Sequence, residues 1–332
     1  MRACRRPRRC SPARLAQSLK GFRLSVRGIG VLAATAAALA LLERRARPSV
    51  TALNELGGTR EIWKWRGYEI FVTTTGSGPP VLLVHGIYAG ASSFEYRRIF
   101  SLLGRTNRVI AFDMLGCGLS EMPSADYSAD LFADQIVDAI HDLTEEPPIL
   151  IGSSLGAAFA IRAAARPNVD VKALVTICPT GLGVLASRPS STRQAIGRLL
   201  RKRFPGQALF AALSSPPSIR AFLRAQAYAD AREITTEVVS HYCAVAKRPG
   251  ARFVTAAFLG GTLNCDVRDD LERVDAPVLV VWGECASSIN PVKNAAQYVR
   301  VAKRGTLVTV PDSGLLPQEE APAVVTSAIE ML

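Results

Sequence analysis

Short apolar runs recur along the chain at intervals typical of the strands of a sheet. Residues 61–66 and 68–74 alternate aromatic and polar side chains, which predicts two strands joined near Gly67. Six further runs are apolar almost throughout, at 81–84, 108–113, 148–152, 171–178, 277–282 and 306–310. Because helical spacing separates most of these runs, the pattern predicts an α/β fold with an eight-stranded, mostly parallel sheet and helices on both faces.

One interval breaks the alternation of strands and helices. Between Cys178 and Pro277 the chain contains no convincing strand; it is rich in Ala, Leu and Arg and is interrupted by Pro and Gly. We expect residues 181–270 to form a helical cap over the carboxyl ends of the strands. The cap would then be an insertion in a main domain that extends over residues 60–332.

The amino-terminal tail differs in composition from the rest of the chain. Residues 1–48 carry twelve Arg or Lys and one acid, Glu43, so they hold +11 of the formal net charge of +12. The body from residue 49 is therefore nearly neutral, and its composition does not support a nucleic-acid partner. Within the tail, residues 28–42 form an uncharged apolar run that is short for a membrane span and is followed closely by arginines.

We expect residues 28–42 to associate with a membrane surface, because flanking arginines can extend a short span by snorkelling. The alternatives are a secretory signal peptide, with a weak cleavage candidate at Ala38-Leu39-Ala40, and an organelle transit peptide. The protein is accordingly expected to be membrane-associated, or else exported or targeted to an organelle.

The residues that most often bind metals are scattered along the sequence. The seven cysteines include no CxxC pair, and the three histidines follow no metal-ligand spacing. The sequence therefore predicts no metal and no cofactor, and the cysteines are expected to be small buried hydrophobes.

A serine stands at a sharp turn between a predicted strand and a predicted helix. Residues 152–156 read Gly-Ser-Ser-Leu-Gly, a G-x-S-x-G pattern directly after the strand at 148–152. Such a turn raises the hydroxyl of Ser154 above the sheet, at the positive end of the helix. The pattern in this context predicts that Ser154 is a nucleophile.

Two more motifs accompany this turn. Val84-His85-Gly86-Ile87 closes the third strand, and residues 113–120 read D-x-x-G-x-G-x-S after the fourth. In this order and spacing the three motifs resemble those of the α/β-hydrolase superfamily, and the resemblance extends from about residue 67 to the end of the chain. It points to the branch with a helical cap, which includes esterases, haloperoxidases, epoxide hydrolases, haloalkane dehalogenases and carbon–carbon bond hydrolases.

The resemblance implies a role for each residue of these motifs. Ser154 would be the nucleophile, and the backbone N–H groups of Ile87 and Leu155 would form an oxyanion hole. Asp113 would hold the turn after the fourth strand. The residues expected to line the site are His85, Gly86, Ser153 and Glu284.

The sequence departs from the family at the other two members of the catalytic triad. Ala286 stands where the family has an aspartate, four residues after Trp282, and Leu315 stands where it has a histidine. Because the sequence contains no histidine after His241, any base must come from elsewhere in the chain. His241 in the cap is the candidate replacement, and His85 is a further one.

Two functions follow from this pattern. The first is an esterase-like serine hydrolase of a small apolar acyl substrate with an atypical or degenerate triad. The alternative is a catalytically inactive pseudo-hydrolase that binds a small molecule or a protein as a scaffold. The nucleophile turn and the oxyanion motif favour the first function, and the changes at Ala286 and Leu315 favour the second.

Overall fold

The computed structural model describes residues 56–286 and 290–332. The expected tail of residues 1–48, with its apolar run at 28–42, lies outside the described residues. In the described part of the chain, no helix combines the length and the apolar character that crossing a bilayer would require.

The described chain forms one eight-stranded sheet in the order β1-β2-β4-β3-β5-β6-β7-β8. The pairs β1–β2 and β2–β4 are antiparallel, and the remaining pairs are parallel. The strands are β1 Thr59–Trp65, β2 Tyr68–Thr75, β3 Pro80–Val84, β4 Arg108–Phe112, β5 Ile149–Ser153, β6 Ala173–Ile177, β7 Val278–Gly283 and β8 Gly305–Val310. The α/β-hydrolase fold that the sequence predicts is therefore confirmed.

Helices cover both faces of the sheet. Outside the cap they are α1 Arg97–Leu103, α2 Ala129–Leu143, α3 Ser154–Ala164, α9 Arg268–Arg273, α10 Ala295–Val301, α11 Pro317–Glu320 and α12 Pro322–Ile329. The central strands β3, β5 and β6 are buried along their whole length, because α2 and α3 pack on one face and α1 and α12 on the other. This double cover explains their uninterrupted apolar sequences.

Between β6 and β7 the chain forms helices and no strand, and we keep the name cap for residues 181–270. The cap helices are α4 Ser191–Arg201, α5 Phe204–Leu213, α6 Pro216–Phe222, α7 Thr236–Ala246 and α8 Ala251–Gly260. Two begin where the sequence supplies a capping side chain: Ser190 accepts a hydrogen bond from the N–H of Arg193, and Thr235 accepts one from that of Val238. Each such cap contributes about 1 kcal/mol to helix stability.

A close approach between α3 and the end of β3 fixes the helix above the sheet. A Cβ added to Gly156 would lie 2.2 Å from the carbonyl oxygen of His85, which is too short for any side chain. The helix can therefore approach this strand end only with glycine at position 156.

Gly156→Ala should destabilise the protein by about 3 kcal/mol or more, because the new methyl group meets rigid backbone and not a flexible side chain. Gly183→Ala is the matched control, since a Cβ at Gly183 would meet nothing within 4 Å. Chemical denaturation of both variants measures the difference. Equal midpoints for the two would show that the contact at Gly156 does not constrain the fold.

Candidate active site

Ser154 occupies a tight turn between β5 and α3. β5 ends at Ser153 and α3 begins at Ser154 without an intervening loop, and Ser154 has a φ of 52°. This left-handed backbone is strained for a residue with a side chain, and such strain is common at functional sites. The half-buried side chain stands at the amino terminus of α3, where the helix dipole favours negative charge.

Two backbone N–H groups beside this serine have no acceptor among the described residues. They belong to Ile87, in the loop after β3, and to Leu155, in the first turn of α3. Gly86 connects the two elements: a Cβ added to it would lie 3.4 Å from Ser154 Cβ. The loop after β3 therefore passes directly beside the serine.

Hydrogen bonds with the backbone engage both ring nitrogens of His85. Its Nε2 accepts a hydrogen bond from the N–H of Met114 at 3.0 Å, and its Nδ1 lies 2.7 Å from the carbonyl oxygen of Gly86. This pattern requires a neutral ring with its proton on Nδ1. Full burial lowers the pKa of His85 and favours the same neutral form. His85 thus connects the loop after β3 to the turn after β4.

Asp113 holds the turn after β4, as the resemblance implies. Its Oδ1 accepts from the N–H of Ser93 and its Oδ2 from that of Leu119, both at 2.7 Å. These bonds connect the turn to the segment that precedes α1.

A buried carboxyl group, Glu95, supports the loop that carries Ile87. Its Oε1 accepts from the N–H of Gly86 at 3.0 Å, and its Oε2 accepts from the hydroxyl of Tyr88 at 2.9 Å. One carboxyl group therefore holds the residues on both sides of Ile87. Burial raises the pKa of Glu95 to about 7, against the opposing effect of the hydrogen bonds from Gly86 and Tyr88.

Sequence reasoning did not identify Glu95 as a site residue. It follows an apolar residue in an ordinary helix start, and no charge pattern distinguishes it from an exposed glutamate. The available signal was its distance of nine residues from Gly86. This distance lets the helical turn of residues 93–96, directly before α1, fold back under the loop that follows β3.

Aromatic side chains from the cap cover the loop after β3. The ring of Tyr88 lies 6.2 Å from that of Phe222 and 5.4 Å from that of Tyr242. Tyr242 is buried, whereas Phe222, at the end of α6, is exposed. The cap thus presents an apolar surface to the loop that carries Ile87.

His241 lies on α7 beside the segment that precedes α1. Its Nε2 is 3.1 Å from the hydroxyl oxygen of Ser92, and its ring stacks on Phe94 with centroids 3.7 Å apart. Burial lowers its pKa to about 4, so the ring is neutral near pH 7. His241, Ser92 and Phe94 also line a cleft together with Asp113 and Val245. Ser154 is not part of the lining of this cleft. The role of His241 as a base stays a prediction.

The two positions at which the sequence departs from the family lie beyond the ends of β7 and β8. Ala286 and Leu315 are half-buried and pack against the apolar cluster that also contains Ile87 and Leu155. Glu284 is exposed, and its backbone N–H donates to the carbonyl of Val310.

A buried ionic cluster joins the loop after β8 to the cap. Glu319 of α11 is fully buried and accepts hydrogen bonds from the guanidinium of Arg97 and the hydroxyl of Tyr228. The neighbouring Glu320 accepts from the N–H groups of Gly314 at 2.6 Å and Ala229 at 2.8 Å. Through Glu320, these bonds connect the cap to the loop after β8 that precedes Leu315.

No group of three or more His, Cys, Asp or Glu side chains suited to a metal ion occurs among residues 56–286 and 290–332. The polar groups beside Ser154 are hydroxyls, backbone amides and the carboxyl group of Glu95. Such a set suits acyl transfer, in which a hydroxyl attacks and amides stabilise an oxyanion.

The fold and this turn define a class of proteins, the α/β hydrolases. The model of the alpha/beta hydrolase family matches residues 81–328, and the chain belongs to this family. A 2-(acetamidomethylene)succinate hydrolase of Mesorhizobium japonicum is 30% identical over 258 residues, which cover 78% of this chain and 89% of the relative.

Two solved structures illustrate the likeness of the fold. A thermophilic esterase from Thermogutta terrifontis matches with a TM-score of 0.64 and 25% identity, over 82% of this chain and 97% of the esterase. A bromoperoxidase from Bacillus anthracis matches with a TM-score of 0.68 and 17% identity, over 82% of this chain and 99% of the bromoperoxidase. At 17% identity the second likeness concerns the fold alone.

Glu95→Gln should flatten the dependence of stability on pH. The pKa of Glu95 rises on folding from 4.5 to about 7, so the folded state binds the extra proton and stability falls as pH increases across this interval. The loss amounts to about 3 kcal/mol by pH 8 for a fully buried group. Glutamine keeps an acceptor for the N–H of Gly86 and carries no charge, so it removes this loss.

The measurement is the free energy of unfolding from pH 5 to pH 8. Glu61→Gln is the control, because Glu61 is exposed on β1. If Glu95→Gln and Glu61→Gln showed the same slope with pH, the carboxyl group of Glu95 would not titrate in this interval.

Proposed function

We propose that the protein is an esterase-like serine hydrolase that acts on a small apolar acyl substrate through an atypical triad. Ser154 is the nucleophile, and the N–H groups of Ile87 and Leu155 form the oxyanion hole. The observation that carries the proposal is the left-handed Ser154 at the start of α3, beside two N–H groups without a described acceptor. The hydrolases among its relatives support the same class of reaction.

The reaction follows from this geometry. The oxygen of Ser154 attacks the acyl carbon, its proton passes to a base, and the carbonyl oxygen becomes an oxyanion that accepts from both N–H groups. Collapse of the tetrahedral intermediate expels the alcohol, and water then releases the acid from the enzyme. The aromatic rings of Tyr88 and Phe222 suit an apolar acyl group at this position.

The base is the atypical part of the site. With Leu315 and Ala286 at the family's histidine and aspartate positions, the usual imidazole and its carboxylate partner are both replaced. His241 is neutral near pH 7 but weakly basic and is held against Ser92, whereas Glu95 titrates near pH 7 but is held against Gly86 and Tyr88. Either group would serve Ser154 less well than an oriented imidazole, so turnover is expected to be slow.

The second candidate is a pseudo-hydrolase that retains binding and has lost turnover. The packing of Leu315 and Ala286 against the apolar cluster that contains Ile87 and Leu155 favours it, because these positions carry hydrocarbon in place of an imidazole and a carboxylate. The reactivity of Ser154 separates the two functions.

A fluorophosphonate probe should label the protein at Ser154, and Ser154→Ala should abolish the label. Labelling should be slower by about 10⁴-fold or more than in hydrolases with an intact triad, because removal of the base typically costs this factor. Ser153→Ala is the matched control, since Ser153 precedes the nucleophile and is fully buried. If wild-type protein resisted the probe, the pseudo-hydrolase would be the better description.

Leu315→His combined with Ala286→Asp should raise ester hydrolysis by about 10³-fold, because the serine and the oxyanion donors already occupy their positions. Leu315→His alone should give less, since the imidazole would lack the carboxylate that selects its tautomer. Adding Ser154→Ala to the double variant should return the rate to background. A folded double variant with wild-type activity would contradict the assigned positions.

A further inference from the structure

Positive charge is concentrated on one part of the cap. Residues 180–229, which include α4, α5 and α6, contain eight Arg or Lys and no Asp or Glu. Because the whole body from residue 49 is nearly neutral, the remainder of that body is net acidic. The cap therefore carries an excess of positive charge of its own, in addition to that counted for residues 1–48.

The same segment exposes large hydrophobic side chains. Of the nine such side chains exposed in the described chain, five belong to it: Ile196, Leu199, Phe204, Leu213 and Phe222. Phe204 is 72% exposed, which is far from the burial usual for phenylalanine. Clustered apolar exposure of this kind marks a surface that contacts another phase or another molecule.

Exposed basic and exposed hydrophobic side chains are adjacent at the connection between α4 and α5. Lys202 and Arg203 precede Phe204, and all three side chains are exposed. Neither of these basic residues, nor Arg198 one turn earlier, forms an ion pair with any residue that the structure describes. Their charge is thus available to an anionic partner.

The packing of α4 decides which of its faces is outward. Gly197 and Leu200 are buried, and a Cβ on Gly197 would lie 2.7 Å from the Cα of Gly260 in α8. Ile196 and Leu199 lie at the edge of this buried side of the helix and are about 40% exposed. The arrangement is fixed by a glycine contact, so the apolar residues cannot turn inward.

We propose that this cap face, formed by the exposed residues of α4, α5 and α6, docks on an anionic lipid bilayer. Phosphate headgroups would neutralise Arg198, Lys202 and Arg203, while Phe204 enters the boundary between headgroups and acyl chains. The exposed aliphatic and aromatic side chains favour lipid over nucleic acid, because a phosphate backbone offers no apolar phase to receive them.

The docked face borders the candidate active site. Phe222 at the end of α6 is exposed on one side and lies near the ring of Tyr88, next to Ile87, on the other. A cap seated on a bilayer would hold this edge of the site at the lipid boundary. Docking itself depends only on the cap face and not on catalysis.

The test places a reporter at the cap in the full chain, so that binding through the amino-terminal tail cannot imitate docking. In Phe204→Trp the indole should shift its emission to the blue and be quenched by brominated lipid in vesicles that contain phosphatidylserine. Leu307→Trp, on the edge strand β8 and also partly exposed, is the matched control and should be quenched far less. Equal quenching of the two variants would overturn the proposal, whatever the tail does.

Charge reversal supplies the second arm. Adding Arg198→Glu and Lys202→Glu to Phe204→Trp should weaken binding to these vesicles by about 30-fold or more, because each basic residue near an anionic surface contributes roughly five-fold. The control adds Arg300→Glu and Arg304→Glu, both exposed residues near β8, to the same reporter and should leave its quenching unchanged. An indole response to duplex DNA but not to vesicles would mean that the face binds nucleic acid and would refute the lipid assignment.

Discussion

The turn from β5 into α3 is possible only where backbone atoms of three elements can approach without side chains between them. A Cβ on Gly156 would strike the carbonyl of His85, and one on Gly152 would lie 2.6 Å from the Cα of Ala157. These absent methyl groups let Ser154 adopt its left-handed backbone and project its hydroxyl above the sheet. The position of the loop that carries Ile87 depends on the same approach.

The buried carboxyl group of Glu95 both supports the loop that carries Ile87 and brings a titratable charge to it, and these two effects are in conflict. Glu95 holds the loop by accepting from Gly86 and Tyr88, and a carboxylate accepts best when it is ionised. Burial and the negative Glu319 nearby favour the neutral form instead. A neutral Glu95 would also oppose an oxyanion less than a charged one. The balance between these effects lies close to neutral pH.

The sequence was sufficient for the sheet and for the serine turn, because both depend on local patterns. Apolar runs predict strands buried on both faces, and G-x-S-x-G between a strand and a helix indicates the turn at Ser154. Contacts between distant segments were not accessible. Nothing local indicates that His241 stacks on Phe94 or that α4 turns Leu199 outward.

The carboxylate of Glu320 is a junction between two parts of the chain that are far apart in sequence. One oxygen accepts from Gly314, in the loop after β8, and the other accepts from Ala229 and Asp230 in the cap. Separating the cap from the body would leave the amides of Ala229 and Asp230 without their acceptor at the same moment, whereas Gly314 and Glu320 lie on the same side of that separation. The amide protons of Ala229 and Asp230 therefore belong to one cooperative unit in exchange with solvent, and the amide of Leu315, which donates to the carbonyl of Ala227, opens with the same unit.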